Sequence, residues 1–166
     1  MKRILPILIL CATALPLHSQ EAAQHNASAP RHFYRLTYVL KESDEGKPVN
    51  QRSFVMPASS GERYWSRVRA GSRFPVRNGD KTDYVDVGVN IDSHMEETPE
   101  GLAMEVAAEI SSPATETGSG GAPFVRSLKT TTQLLAAPNK PATVFVIDDL
   151  TSHHRFEMDV TAVPEK

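Results

Sequence analysis

Between Tyr84 and Asp92 the chain alternates without a break. Val85, Val87, Val89 and Ile91 fall on one side, and Tyr84, Asp86, Gly88, Asn90 and Asp92 on the other. Successive side chains of a strand point to opposite faces, so a period of two this clean specifies a sheet with one dry and one wet side. The pattern recurs upstream, where Tyr34, Leu36, Tyr38 and Leu40 alternate with Arg35, Thr37 and Lys41. Asp44-Glu45-Gly46-Lys47-Pro48 is a polar turn, after which Gln51 to Met56 returns as a hairpin partner. Ser59-Ser60-Gly61 marks the next turn and Arg63 to Ala70 the next strand. Further strands are expected near Val125 to Leu135, Thr143 to Ile147 and Arg155 to Val163.

One segment reads two ways. Leu102, Met104, Val106, Ala108 and Ile110 against Glu105 and Glu109 fit a strand. Ala, Glu and Met nevertheless favour helix, and Thr98-Pro99-Glu100 resembles a helix cap with proline at the first position. Strand is preferred, because the alternation continues that of the preceding segment. Ser112 to Pro123, rich in Gly, Ser, Thr and Pro, reads as a long flexible loop. The fold class is therefore all-β, an antiparallel β-sandwich or curled sheet, in one domain from Phe33 to Pro164.

The first residues concern destination rather than fold. Lys2 and Arg3 precede an apolar run from Ile4 to Leu17, and small and polar residues follow from His18 to Ala23. This is the pattern of a secretory signal peptide, spanning residues 1–19 with cleavage after Ser19 or Ala23. The run is too short to span a bilayer as a mature helix. Gln20 to His32 reads as a disordered leader. Cys11 is the single cysteine, so a processed chain would hold no disulfide and no thiolate metal site.

Charge narrows the partners. The chain has 18 Lys+Arg and 20 Asp+Glu, and loss of Lys2 and Arg3 leaves 16 basic residues. A mildly acidic protein has no general affinity for nucleic acid or for anionic membranes. No second stretch is apolar enough for a transmembrane helix. Eight strands would fit the length of a small outer-membrane barrel, but aromatics are only 7% of residues, too few for two interfacial girdles.

Signatures of catalysis are weak. His153-His154 lies near Asp148-Asp149, but neighbours on a strand point to opposite faces and do not readily grip one ion. A polar turn explains all four residues, and no metal site, cofactor or catalytic residue is assigned. Gly118-Ser119-Gly120-Gly121 has neither the lysine of a P-loop nor the frame of a nucleophile elbow. The best surface candidate is Arg63, Trp65, Arg67 and Arg69, which share one face of their expected strand. Guanidinium groups flanking an indole stack on it and suit an acidic partner, either an envelope protein or an acidic polysaccharide. The bland alternative is a solvated edge strand whose arginines prevent sheet-to-sheet aggregation.

Several segments occur in a telling order. Gly71-Ser72-Arg73-Phe74-Pro75-Val76 precedes Tyr84-Val85-Asp86-Val87-Gly88-Val89-Asn90-Ile91. Then come a Glu-bearing strand from Leu102 to Ser111, a loop, Pro123-Phe124-Val125-Arg126 and Thr130-Thr131-Thr132. This order resembles the conserved β-domain of bacterial secretins, the outer-membrane ring proteins of type II and III secretion and type IV pilus systems. The resemblance runs from about Arg69 to Leu150 and departs where Asp148-Asp149-Leu150 stands in place of a Gly-Gly-Leu-like turn. It implies a twisted sheet, an exported location and no catalytic residues. The expected function is a non-enzymatic structural or protein-interaction role in the bacterial cell envelope, in the periplasm, at the outer membrane or outside the cell. The alternatives are a short secretin-like subunit forming an outer-membrane homo-oligomer for secretion, and a secreted hydrolase or metal-binding enzyme.

Overall fold

The computed structural model describes residues 31–61, 64–78, 81–117, 123–150 and 153–165. The expected signal peptide, most of the expected leader and the Gly-rich segment 118–121 lie outside them. Eight antiparallel strands follow in sequence: β1 (Phe33–Asp44), β2 (Lys47–Ser59), β3 (Trp65–Asn78), β4 (Lys81–Thr98), β5 (Gly101–Thr117), β6 (Pro123–Ala136), β7 (Pro141–Asp148) and β8 (His154–Glu165). They form two four-stranded sheets, one in the order β2-β1-β8-β7 and the other β3-β4-β5-β6. The chain crosses between sheets only from β2 to β3 and from β6 to β7, while β8 returns to pair with β1. Neighbours in space are thus neighbours in sequence around a flattened, open-sided ring of strands.

The core lies between the sheets. Leu36, Tyr38, Met158, Val160 and Ala162 of the first face Ile91, Met95, Leu102 and Val106 of the second, all essentially inaccessible to water. The dry residues foreseen on β1, Tyr34, Leu36, Tyr38 and Leu40, point inward, and Arg35, Thr37 and Val39 between them point outward. Segment 102–110 is strand, part of β5. Its apolar residues at every second position fill the inter-sheet space, whereas a helix would turn a third of them to solvent. Thr98-Pro99-Glu100-Gly101, read above as a helix cap, is a hairpin turn in which the Thr98 hydroxyl donates to the Gly101 carbonyl at 3.0 Å.

Two polar contacts pin the sheets face to face. Tyr38 Oη donates to Ser93 Oγ at 2.8 Å in the middle of the core. Burial pushes the Tyr38 phenol pKa up, and the Ser93 hydrogen bond opposes this. Near one end Tyr34 Oη donates to Glu97 Oε1 at 3.0 Å. The two contacts also set the sheets' relative position. Residues 34 and 38 of β1 lie opposite 97 and 93 of β4, so the end of β1 at Asp44 is level with about Val87. Yet β4 continues to Lys81 and β3 to Asn78. β4 has 18 residues, roughly 60 Å at about 3.3 Å each, against 12 and roughly 40 Å for β1. The second sheet therefore outruns its partner and projects past it.

The join between packed and projecting halves is a line of small residues. Gly71 pairs with Gly88, Gly88 with Ser111, and Ser111 with Ser127, one from each strand. A Cβ on Gly88 would lie 2.2 Å from the Ala70 carbonyl oxygen, and Gly88 has φ of 153°, a conformation side chains rarely adopt. The two strands approach too closely here for any other residue pair. Ser111 Oγ accepts from the Gly88 amide at 3.0 Å, so the side chain of β5 bonds directly to the β4 backbone at this line.

Two boundaries differ from expectation. β5 extends to Thr117 and β6 begins at Pro123, so most of the loop expected over 112–123 is strand. Arg31 and His32, assigned above to the leader, are tied into the domain: the His32 amide donates to Ser60 Oγ at 3.0 Å, and Arg31 lies over the Tyr64 ring and bonds its hydroxyl. Neither residue has the alternating apolar pattern that marks a strand, which is why the sequence alone did not place them.

Candidate functional site

Trp65, Arg67 and Arg69 do share the outward face of β3, as the alternation requires, and all three are substantially exposed. Arg63 lies outside the described residues. The neighbouring strand changes the electrostatics of this face. β3 pairs with β4 in a register that sets Arg67 opposite Asp92 and Arg73 opposite Asp86. Asp92 Oδ1 accepts from Arg69 Nη2 at 2.7 Å and lies 3.5 Å from Arg67 Nε. Asp86 Oδ1 accepts from Arg73 Nε at 3.3 Å. One carboxylate thus serves two guanidinium groups, so the stripe keeps about one uncompensated charge where the sequence of β3 alone suggested several. Trp65 tilts against the His94 ring at a centroid distance of 5.5 Å rather than stacking between arginines.

The remaining strands extend this lattice. Lys129 of β6 pairs with Glu109 of β5 at 3.1 Å, and Gln133 donates to Glu105 at 3.2 Å. The Lys129 hydrogen bond, with help from Ser127, holds the Glu109 carboxyl below its usual pKa despite partial desolvation. The outer face of the second sheet is therefore banded, cationic along β3, acidic along β4 and β5, and with Lys129 as the one cation among the outward residues of β6. Shallow depressions of about 350 and 240 Å³ lie over it, sharing Arg69 and Asn90. The smaller is floored by Gly71 and Gly88, where absent side chains leave backbone at the surface.

The inner face of the projecting half is different again. Phe74 is 37% exposed, and Val85 and Val87 are only half-buried although they continue the dry stripe of Val89 and Ile91. Tyr84, on the outer face, is 62% exposed, with the Arg73 guanidinium 5.9 Å from its ring centre.

His154 is at the mouth of the sandwich, its Nδ1 2.8 Å from Glu42 Oε1 and its Nε2 4.0 Å from Asp44 Oδ2. His153 precedes β8 and is exposed. Among the described residues no group of three or more His, Cys, Asp or Glu side chains is arranged to hold a metal ion. At the opposite end, Glu97 accepts from Tyr34 and is 2.8 Å from His32 Nδ1. Desolvation raises the Glu97 pKa, but the bonds from His32, Tyr34 and Ser60 outweigh it and hold the carboxyl below its ordinary value. Burial, reinforced by Glu97, pushes the Tyr34 phenol up to about 12. These groups are committed to one another as a latch over the start of β1.

No protein-family model matches the chain, and no curated protein matches it either. Solved structures are similar in fold. The type II secretion system secretin GspD of E. coli K12 aligns over 82% of this chain and 48% of its own, with 9% identity and a TM-score of 0.45. The InvG secretin domain β-barrel of the Salmonella SPI-1 injectisome aligns over 82% and 61%, with 10% identity and a TM-score of 0.45. GspD of enteropathogenic E. coli aligns over 82% and 66%, with 8% identity and a TM-score of 0.47. The likeness is to secretin domains. It is a likeness of fold at low identity, and this chain spans from about half to just under two thirds of the length of those three chains.

The acidic partners of the arginine stripe, Asp86 and Asp92, escaped the sequence reading. Both are visible on the wet face of β4, but pairing them with β3 needs the register that the Gly71–Gly88 close approach helps to fix.

Proposed function

We propose that this chain is an exported, non-enzymatic β-domain protein with a structural or protein-interaction role in the bacterial cell envelope, resembling part of a secretin. The observation that supports this reading is the projecting half of the second sheet. A packed domain gains nothing from four strands that continue past their core, with partly apolar Phe74, Val85 and Val87 left uncovered. Such a surface suits contact with another macromolecule. Free sheet edges beside it provide backbone donors and acceptors for strand addition. The amino-terminal pattern is that of a signal peptide cleaved after Ser19 or Ala23, and the mature protein is assigned to the periplasm, with outer-membrane association or release as the other destinations.

The stripe of Trp65, Arg67 and Arg69, extended by Arg63, is the docking face for an acidic envelope protein or polysaccharide. Cell fractionation with amino-terminal sequencing of the mature chain tests export; a full-length cytoplasmic product would overturn it. Pull-downs with Arg67→Glu and Arg69→Glu test the docking face, and an unchanged set of partners would remove it.

A second reading is a short secretin-like subunit assembling into an outer-membrane ring for protein secretion. The ordered motifs from Gly71 to Arg126 favour it. It requires detergent-resistant oligomers in the outer-membrane fraction, whereas the first reading does not.

A further inference from the structure

The four edge strands are not equivalent. β2 carries Pro48 and Pro57, β3 carries Pro75 in its interior, and β7 is short, begins at Pro141 and is bulged between Thr143 and Phe145. Proline removes a ladder donor, and a bulge twists the edge away, so each of these edges resists pairing with another chain. β6 differs. Its only proline is its first residue, and from Phe124 to Ala136 every backbone donor is intact. Its centre is Thr130-Thr131-Thr132, a run of strong strand formers. The inward residues Thr130, Thr132 and Leu134 are only half-buried, while their β5 counterparts Ala108, Val106 and Met104 are buried, so among the described residues the β6 flank of the sandwich is only partly covered.

The sequence of β6 is self-complementary about Thr131. Antiparallel pairing with a second copy places Thr131 opposite Thr131, Thr130 opposite Thr132, Leu128 opposite Leu134, Lys129 opposite Gln133 and Ser127 opposite Leu135. Leucines meet on the inner side, hydroxyls meet at the axis, and no like charges oppose one another, which is the pairing that stabilises sheets. Head-to-tail pairing of β6 with β3 of another copy fares worse. It brings the cationic Arg67, Arg69 and Arg73 column alongside Lys129, and it meets Pro75.

We propose that the protein self-associates as a two-fold dimer through antiparallel β6–β6 pairing centred on Thr131. This goes beyond an interaction role in the envelope and holds wherever the protein resides. The pairing joins two four-stranded sheets into one continuous sheet. It is a closed, isologous contact, so it stops at two copies.

A Thr131→Cys variant, with Cys11→Ser so that no other thiol remains, tests it directly. Residues facing each other across an antiparallel pair have Cα atoms about 4.5–5.5 Å apart, within disulfide reach. Mild oxidation of the purified protein should give a single covalent dimer, while Ser72→Cys on β3 should stay monomeric. Light scattering after size exclusion should show a concentration-dependent dimer, and Thr131→Lys, which sets like charges on the axis, should weaken it about tenfold or more, with a melting temperature unchanged in dilute solution where both proteins are monomeric. A monomer at all concentrations would overturn the proposal. So would Ser72→Cys cross-linking, or a ladder of higher oligomers, which would mean head-to-tail pairing instead.

Discussion

Along β4 one alternation meets two environments. Val89, Ile91 and Met95 are buried against the opposite sheet, while Val85 and Val87, equally apolar and on the same face, are half-exposed. The alternation does not change at Gly88; what changes is whether anything lies across from it. The first sheet ends near Asp44 and the second does not. Local sequence specifies strand and face, but burial is decided by the length of a partner strand far away in the chain. The packed half therefore carries the stability and the projecting half carries surface.

This difference predicts unequal costs for equivalent truncations. Ile91→Ala opens a cavity between two full sheets and should cost about 3–5 kcal/mol, whereas Val87→Ala, four residues along the same face, should cost about 1 kcal/mol or less. Urea denaturation of the two variants checks this. Equal losses would mean that the projecting half packs as tightly as the rest, and the division would fail.

The line between the halves should be nearly as sensitive as the core. Gly88→Ala forces a side chain into a 2.2 Å approach to the Ala70 carbonyl from a backbone conformation suited to glycine. The expected loss is about 3 kcal/mol or more, since a disallowed dihedral and an overpacked contact coincide. Native-state hydrogen exchange sharpens the comparison: amides of 72–78 and 81–87 should exchange through local opening, and those of 89–95 only with global unfolding.

How much of this was legible beforehand follows from the same physics. The alternation of Tyr34 to Leu40 and of Val85 to Ile91 identified strands and faces correctly, because side-chain direction in a strand is a local property. It also tipped Leu102 to Ile110 towards strand against the helix propensity of Ala, Glu and Met. The stripe of Trp65, Arg67 and Arg69 was found on one face for the same reason. Its partial neutralisation by Asp92 and Asp86 was not, because cross-strand pairing depends on register, and register is a property of two strands at once. The extent of the projecting half depends on all eight strands and could not be read from any of them.

A smaller effect separates the polar contacts of the packed half from its apolar ones. Tyr38→Phe removes the hydrogen bond that Ser93 accepts in the core and should cost about 1–2 kcal/mol, since a buried hydroxyl loses its partner. The double variant Tyr38→Phe with Ser93→Ala should recover much of that loss. If the single variant were neutral, water would have to reach the centre of the sandwich, and the packed half would not be dry.

The smallest effect belongs to the latch at the far end of the packed half, and its sign is fixed by direction of titration. The Glu97 carboxyl is held below its ordinary value, so its contribution is present above the unfolded carboxylate range and is lost as pH falls through the folded value. The Tyr34 phenol is raised to about 12, so its contribution is present below its ordinary value near 10 and is lost as pH rises towards 12. Both groups share one hydrogen bond, so Glu97→Gln should flatten the acid limb of a melting-temperature profile and also make the alkaline limb shallower, because the folded Tyr34 value moves back towards its ordinary one. Glu97 is partly exposed and solvent screens it, so each change should stay under about 1 kcal/mol. The projecting half has no stake in this latch, and exchange rates of 72–78 and 81–87 should not respond to the substitution. If they do, the two halves are coupled through the Gly71–Gly88 line rather than merely joined there.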